Sequence, residues 1–195
     1  MKLAVIDLDG VIADPAERFK RAEEAKQAFL NDKNARLEAI FSDGSAGKQR
    51  ATEIYWRTVF TPELVSLDTL IEGVHEALNM LYGEYGVMFL TSRPESMRAA
   101  THAWLEAHDI SVEHPQFGDF LVMKPPAAQY VKTVVWKALT IQMLVALHGA
   151  DEALVIDDEK ANLAEMQKYD VSRMRLCSSL AEAIAPPEEG RPFYE

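Results

Sequence analysis

Short apolar runs alternate with helix-forming stretches along most of this chain. The runs Lys2–Asp7, Gly86–Leu90 and Ala153–Ile156 have no polar face, which is typical of buried parallel strands. Weaker strand patterns occur at Phe120–Met123 and near Arg173–Leu176. Because the stretches between the runs are long enough for helices, the order predicts an α/β fold, with a parallel sheet and helices on both faces.

Capping residues and apolar spacing predict where the helices begin and end. Asp14-Pro15 favours a helix to about Leu30, since aspartate caps helices and proline fits their first turn. Asp68–Tyr82 has its apolar residues on one face, as in an amphipathic helix. Further helices are expected over about 95–108, 131–147 and 161–168, with a last one capped by Ser178 or Ser179.

One segment interrupts the alternation of strands and helices. Residues 14–66 are helical in composition, with a turn-rich loop at Ser42–Gly47 and a helix from about Lys48 to Phe60. This segment has nine basic and nine acidic residues, so the rest of the chain carries the whole net charge of −11. The sequence therefore predicts a Rossmann-like α/β core, residues 1–13 and 67–195, and a helical cap, residues 14–66, inserted after the first strand.

The composition excludes several functional classes. Acidic residues outnumber basic ones by 31 to 20, which argues against a long nucleic acid or an anionic membrane as partner. The single cysteine, Cys177, excludes a disulfide within the chain and a cysteine-rich zinc site. The chain has neither an apolar run of membrane-spanning length nor a signal-peptide pattern, so we expect a soluble, cytoplasmic protein.

Polar side chains follow three of the apolar runs. Asp7 and Asp9 follow the first run, Thr91-Ser92-Arg93 the second, and Asp157 and Asp158 the third. Ligands of open α/β sheets bind at the carboxyl ends of the strands, where these residues would meet. Four carboxylates in one place cannot all stay ionised without a partner, and a divalent cation such as Mg²⁺ would relieve their repulsion.

These residues carry a resemblance to a known family. The stretch Val5–Ile12, read as Val-Ile-Asp-Leu-Asp-Gly-Val-Ile, resembles the first motif of the haloacid dehalogenase (HAD) superfamily. Thr91 resembles the second motif, Lys137 the third and Asp157-Asp158 the fourth, in the family's order. The resemblance extends from the first strand to about residue 166, with the predicted cap as its variable part.

The resemblance implies a phosphohydrolase with a covalent intermediate. Asp7 would attack phosphorus to give an aspartyl-phosphate, and Asp9 would act first as general acid and then as general base. Thr91 would hydrogen-bond the phosphoryl oxygens, with Ser92 as its competitor for that role. Lys137 would neutralise those oxygens and hold Asp7; Lys132 and Lys124 are its rivals, although the spacing to the fourth motif favours Lys137.

The same resemblance implies a Mg²⁺ cofactor. Asp158 and Asp7 would be its carboxylate ligands, and Asp9 would contribute its backbone carbonyl. Asp157 would support Lys137 or the water ligands of the metal.

The substrate is less well defined by the sequence. The motifs around Arg93, Lys137 and Asp158 look similar to deoxyribonucleotidases and to the phosphatase domain of phage polynucleotide kinase, where an arginine at the place of Arg93 contacts phosphate. We therefore expect Arg93 to bind substrate phosphate. Arg50 and Arg57, in the cap, are candidates for contacts to a base or sugar, or else are solvated. The predicted substrate is a nucleotide or another small phosphomonoester such as a sugar phosphate.

Two other functions remain open at this stage. One is a phosphatase for nucleic-acid ends, which the acidic charge and the helical cap disfavour. The other is a non-catalytic binding protein with the same fold, which the presence of Asp7, Asp9 and Asp158 disfavours. The exposed face of the cap would also be compatible with a homodimer.

Overall fold

The computed structural model describes residues 1–32, 45–114, 118–168 and 174–185. In chain order its strands are β1 (Lys2–Ile6), β2 (Ala13–Asp14), β3 (Thr69–Leu70), β4 (Gly86–Pro94), β5 (Glu113–His114), β6 (Gly118–Asp119), β7 (Leu121–Lys124), β8 (Glu152–Ile156) and β9 (Met174–Cys177). Its helices are α1 (Ala16–Asn31), α2 (Ser45–Val59), α3 (Val74–Tyr82), α4 (Arg98–Ala107), α5 (Thr133–His148), α6 (Lys160–Met166) and α7 (Leu180–Ile184). Short 3-10 helices span Pro62–Leu67, Glu95–Met97 and Pro126–Ala128.

The core is a five-stranded sheet in the order β7-β4-β1-β8-β9, and every neighbouring pair is parallel. Side chains of β1 alternate between its two faces, as the pleat of a strand requires. Ala4 and Ile6 pack with buried residues of α3, α4 and α7, whereas Leu3 and Val5 pack with those of α5 and α6. The predicted α/β fold, with helices on both faces of a parallel sheet, is confirmed.

The structure differs from the predicted boundaries near the cap. The helix predicted from Asp68 begins only at Val74, because Thr69–Leu70 instead pair as β3 with β2 in an antiparallel ribbon. The predicted loop at Ser42–Gly47 is wrong from Ser45 onward, where α2 already begins; residues 42–44 lie outside the described residues. The strands β2 and β3 form because two segments distant in sequence pair with each other. The local periodicity of hydrophobic residues does not predict such pairing.

The ribbon of β2 and β3 joins the two ends of the segment that contains α1 and α2. Between these two short strands, α1 and α2 pack on each other, and the 3-10 helix at Pro62–Leu67 packs on α4. The division at residues 14–66 into cap and core stays a prediction.

The carboxyl-terminal part follows the pattern that the sequence predicted. Ser179 caps α7, since its Oγ accepts a hydrogen bond of 3.2 Å from the backbone N–H of Glu182. The last strand spans Met174–Cys177, and residues 169–173 lie outside the described part of the chain. Among the described helices, none combines the length and apolar character needed to cross a bilayer.

Candidate active site

Three neighbouring strands of the sheet bring the predicted site residues to one edge. Ile6 of β1 pairs in register with Ile156 of β8 and with Phe89 of β4. Asp7 and Asp157 therefore leave their strands at the same level, and the backbone N–H of Asp7 donates to the carbonyl of Ile156 at 2.9 Å. The sheet itself explains why residues far apart in sequence meet here.

Lys137 joins these two aspartates. Its Nζ donates to Oδ2 of Asp7 at 2.6 Å and to Oδ2 of Asp157 at 2.7 Å, and its side chain is 2% exposed. The rival lysines lie elsewhere: Nζ of Lys124 donates to the carbonyl of Val131, and Lys132 is exposed just before α5. Of the three lysines, Lys137 is the one that contacts Asp7.

Burial controls the protonation of this group. Burial raises the pKa of Asp7 to about 7, helped by the charge of Asp157 and opposed by the attraction of Lys137. The pKa of Lys137 is raised, because the two carboxylates outweigh the effect of its burial. Asp7 in the metal-free protein is thus a carboxylate that is not fully ionised at neutral pH.

Asp158 adds a third carboxylate to the cluster. Oxygens of Asp7, Asp157 and Asp158 lie within 4.8 Å of one another, and Asp158 is the exposed member. Burial and the charge of Asp157 raise the pKa of Asp158. Because Lys137 supplies one positive charge against three carboxylates, the cluster retains an excess negative charge and offers only oxygen ligands. That donor set fits Mg²⁺.

Gly10 allows Asp158 to approach this cluster. Its φ is +85°, a left-handed conformation that favours glycine, and a Cβ built on it would lie 2.1 Å from Oδ2 of Asp158. A side chain at this position would therefore displace the carboxylate. Sequence reasoning placed Gly10 in the first motif but gave it no role.

Asn162, on α6, orients Asp157. Its Nδ2 donates to both carboxylate oxygens of Asp157, at 2.9 and 3.0 Å, and the residue is 1% exposed. Its Oδ1 is buried and has no hydrogen-bond partner among the described residues. Sequence reasoning missed Asn162, because nothing in its local pattern differs from an ordinary helical asparagine.

Asp9 points to a different set of partners. Its Oδ1 accepts hydrogen bonds from Nη2 of Arg18 at 2.5 Å and from Nη2 of Arg93 at 2.6 Å. Both arginines also bind the carboxylate of Asp68: Arg18 at 2.8 and 3.1 Å, and Arg93 at 2.7 Å. We name these four residues (Asp9, Arg18, Asp68 and Arg93) the charge ring.

The charge ring is buried apart from Asp9. The side chains of Arg18, Asp68 and Arg93 are 0% exposed, and that of Asp9 is 21% exposed. Burial acts to raise the pKa of Asp9, but Arg93 and Arg18 outweigh it, so the pKa of Asp9 lies below its usual value. Asp9 is therefore an ionised carboxylate in this geometry. In Asp68, burial outweighs the arginines and raises the pKa.

The second-motif residues have distinct surroundings. Thr91 is fully buried within β4, and its Oγ1 accepts from the backbone N–H of Arg93 at 3.2 Å. Ser92 is half-buried. The guanidinium of Arg93 faces Asp9, Asp68 and Thr101, so all three of its nitrogens are engaged within the protein. Its predicted contact with substrate phosphate stays a prediction, and it would require Arg93 to share these donors.

The two cap arginines lie outside this network. Arg50 and Arg57 are exposed on α2, and neither takes part in the contacts of Asp7 or Asp9 among the described residues. Trp56, beside Arg57, is 48% exposed and stacks on Phe60 at a centroid distance of 5.6 Å. Substrate binding by Arg50 and Arg57 stays a prediction.

Comparison with known proteins gives a clear result only at the level of structure. The chain matches no family model, and no curated protein sequence is similar to it at a significant level. Several solved structures are similar to this chain.

A HAD-superfamily hydrolase of subfamily IA from Geobacter sulfurreducens has 19% identity and a TM-score of 0.54, over 86% of this chain and 82% of its own. A haloacid dehalogenase-like hydrolase from Streptococcus pneumoniae has 16% identity and a TM-score of 0.58, over 88% and 82%. A candidate phosphoglycolate phosphatase from Lactobacillus plantarum has 12% identity and a TM-score of 0.59, over 94% and 89%.

These matches cover most of each chain, although the sequences have diverged widely. The chain thus has the fold of the HAD-superfamily hydrolases. The fold that the resemblance of the four motifs implied is confirmed.

Proposed function

We propose that this protein is a Mg²⁺-dependent phosphomonoester hydrolase that forms an aspartyl-phosphate on Asp7. The observation that carries the proposal is the position of Lys137 between Asp7 and Asp157, at the edge where Asp158 completes a three-carboxylate cluster. A site built from carboxylates alone would repel a phosphate. The lysine, together with a bound divalent cation, would neutralise that charge.

Asp7 is the proposed nucleophile. Its Oδ1 accepts from the backbone N–H of Leu8 at 2.8 Å and its Oδ2 binds Lys137, so the carboxylate is fixed on both oxygens. Attack on phosphorus forms the bond from an Asp7 oxygen to phosphorus and breaks the bond from phosphorus to the ester oxygen. Phosphoryl transfer depends mainly on positioning and charge neutralisation, and a fixed carboxylate beside an ammonium group supplies both.

Asp9 is the proposed acid and base. In the first step it would donate a proton to the departing ester oxygen, and in the second it would accept one from the water that attacks the aspartyl-phosphate. The arginine contacts favour the ionised form, which suits the second step. The first step requires that Asp9 gain a proton and loosen one arginine contact.

The remaining residues hold the phosphoryl group and the cofactor. Thr91, within β4 and one residue beyond the level of Asp7, would hydrogen-bond a phosphoryl oxygen. Asp7, Asp158 and the carbonyl of Asp9 would hold Mg²⁺, while Asp157 stays with Lys137 and Asn162. Mg²⁺, when bound, would lower the repulsion between the anionic nucleophile and the anionic phosphate.

The proposed substrate is a nucleotide or a similar small phosphorylated metabolite. The net charge of −11 disfavours a long polyanion, whereas one phosphate needs only local positive charge. An exposed tryptophan beside an exposed arginine, Trp56 and Arg57 on α2, offers stacking and charge of the kind that a nucleotide base and its phosphate use.

The test is phosphate release from an aryl phosphate and from a panel of nucleotides, sugar phosphates and one 3′-phosphorylated oligonucleotide. Each substrate is assayed with Mg²⁺ and with EDTA, using the wild-type protein and the variant Asp7→Asn. The control variant is Asp151→Asn, because Asp151 is an exposed aspartate at the opposite end of the strands, paired with the amino terminus.

We expect release that requires Mg²⁺, is lost in Asp7→Asn and is kept in Asp151→Asn. A phosphoryl adduct on the peptide containing Asp7, trapped by rapid acid quench and detected by mass spectrometry, would identify the intermediate. Preference for the oligonucleotide would favour the nucleic-acid-end alternative. Binding of Mg²⁺ without release from any ester would contradict the proposal and favour a binding protein.

A further inference from the structure

The charge ring lies where the cap segment joins the sheet domain. Arg18 is on α1, just after β2, whereas Asp68 directly precedes β3, the partner of β2. Asp9 forms a bridge to Ala13 of β2, and Arg93 belongs to β4 of the central sheet. One hydrogen-bonded group thus contains Arg18, which follows β2, Asp68, which precedes β3, and the site residue Asp9.

Arg18 has a complete set of partners without Asp9. Its Nε and Nη2 bind the two oxygens of Asp68, and its Nη1 donates to the carbonyl of Val59 at 3.2 Å. Paired guanidinium and carboxylate groups of this kind satisfy a buried charge. The 2.5 Å contact of Arg18 with Asp9 is an additional one. Arg18 does not need this contact to satisfy its charge, so the contact restrains Asp9 more than it restrains Arg18.

Arg18 also completes the restraint on Asp9. Arg93 binds both oxygens of Asp9, through Nη2 and Nε, and Arg18 binds Oδ1 from the side of the cap segment. Asp9 is the one ring member whose side chain remains in part exposed, so it is the member most open to a bound substrate. The orientation of Asp9 is thereby tied to the position of α1.

We propose that Arg18 is a positioning residue of the active site: through its contact with Asp9 and its pairing with Asp68, it sets the orientation from which Asp9 reaches the leaving-group oxygen. This inference rests on the proposed function, because it assigns Arg18 an effect on the proton-transfer step of that reaction. The side chain of Arg18 contacts Asp9, Asp68 and the carbonyl of Val59, and not the nucleophile Asp7.

The test exploits the different need of two esters for a proton donor. An aryl phosphate has a weakly basic leaving group that departs with little protonation, whereas an alkyl phosphate requires it. The variant Arg18→Gln is compared with Arg21→Gln, since Arg21 lies on the same helix but is exposed and, within the described part of the chain, forms ion pairs with Glu17 and Glu24. We expect Arg18→Gln to lower kcat/KM, which reports formation of the aspartyl-phosphate, at least about tenfold more for the alkyl ester than for the aryl ester, as part of the 10²–10⁴-fold that acid catalysis supplies.

Two further variants distinguish an effect on Asp9 from a loss of folded protein. Arg18→Lys retains the charge beside Asp68 but has no second nitrogen to reach Asp9, so it should show the same leaving-group dependence with a smaller loss of folded protein. In an Asp9→Asn background, Arg18→Gln should cause no additional leaving-group dependence, because the group on which Arg18 acts is gone.

The outcomes separate this inference from the proposed function. Equal losses on both esters in the folded Arg18 variants, or no loss at all, would overturn the positioning role while leaving the proposed function intact. Additive effects of Arg18→Gln and Asp9→Asn would overturn it as well. Absence of Mg²⁺- and Asp7-dependent hydrolysis by the wild-type protein would overturn the proposed function, and this inference with it.

Discussion

The ammonium nitrogen of Lys137 lies 2.6 Å from Oδ2 of Asp7, a residue 130 positions earlier in the chain. The same nitrogen lies 2.7 Å from Asp157, and all three side chains are buried. One cation thus serves two carboxylates in a region of low dielectric. Removal of the lysine would leave both carboxylates there without a positive partner.

Substitution of this lysine should destabilise the protein and abolish its chemistry. In Lys137→Met, Asp7 and Asp157 face each other without a cation, and we expect a loss of about 3 kcal/mol in the free energy of unfolding at pH 8 without metal. Hydrolysis should fall by about 10²-fold or more, because the phosphoryl charge also loses its partner. Urea unfolding and phosphate release measure the two effects. Lys132→Met, which removes an exposed lysine next to the same helix, is the control; equal stability of the two variants would contradict this electrostatic account.

Substitution of the nucleophile should have the opposite effect on stability. Asp7 has a pKa of about 7 in the folded protein against an ordinary value of 3.8, so above pH 7 its ionised form costs folding free energy in the absence of metal. Asp7→Asn removes that cost, and we expect it to raise the Tm at pH 8 in EDTA by several degrees; the pKa difference corresponds to about 4 kcal/mol as an upper bound. Thermal melting checks this result. A lower Tm at pH 8 would show that Asp7 stabilises the fold through Lys137.

The gap in Tm between Asp7→Asn and the wild type should depend on pH. Between the ordinary value of 3.8 and about 7, the folded wild-type protein keeps a proton on Asp7 that the unfolded chain releases. The contribution of Asp7 to stability therefore falls as the pH rises through this window. We expect the gap to be largest above pH 7 and to close toward pH 4. Comparing the two proteins at each pH cancels the contributions of the other carboxylates.

The affinity of the protein for Mg²⁺ should depend on the same protonation of Asp7. A metal that uses Asp7 as ligand must displace its proton, so affinity for Mg²⁺ should increase as the pH rises toward and beyond 7. Saturating Mg²⁺ should then raise the Tm of the wild-type protein more at pH 8 than at pH 5. In Asp7→Asn this increase should be smaller at pH 8. An increase of the same size at both pH values would mean that Asp7 is not a ligand.

The sequence predicted the part of the site that depends on strand order. The strands β1, β4 and β8 were visible as apolar runs, and a parallel sheet brings their carboxyl ends together whatever the intervening chain does. Asp7, Lys137 and Asp157 consequently lie in contact with one another. Spacing favours Lys137 over Lys124, and of these two lysines Lys137 is the one that contacts Asp7.

The charge ring was not predictable in the same way. Arg18 has the local pattern of an exposed residue in a highly charged helix, and Asp68 that of an ordinary helix cap. Their pairing across 50 residues depends on the ribbon of β2 and β3, which has only two residues in each strand and leaves no periodic signal. Arg93 was noticed for its motif, but its side chain could not be oriented without Asp68.

Gly10 permits a prediction with a closely matched control. Gly10 and Gly149 both have positive φ, +85° and +56°, so alanine at either one strains the backbone by about 1–3 kcal/mol. At Gly10 the new Cβ would also fall 2.1 Å from the carboxylate of Asp158, whereas at Gly149 it would meet nothing within 4 Å. Gly10→Ala should therefore displace a proposed metal ligand, and Gly149→Ala should not.

The measurement is the Mg²⁺ concentration that gives half-maximal activity, together with Mg²⁺ binding by calorimetry. Gly10→Ala should raise both values by about 10- to 100-fold, the usual effect of disturbing a group that orients a metal ligand. Gly149→Ala should lower the Tm to a similar extent but leave the Mg²⁺ dependence unchanged. If both variants lowered the Tm and both kept the Mg²⁺ dependence of the wild-type protein, Asp158 would not be a metal ligand. Displacement of a ligand would have weakened Mg²⁺ binding in Gly10→Ala. The matched pair therefore separates backbone strain from the loss of the carboxylate.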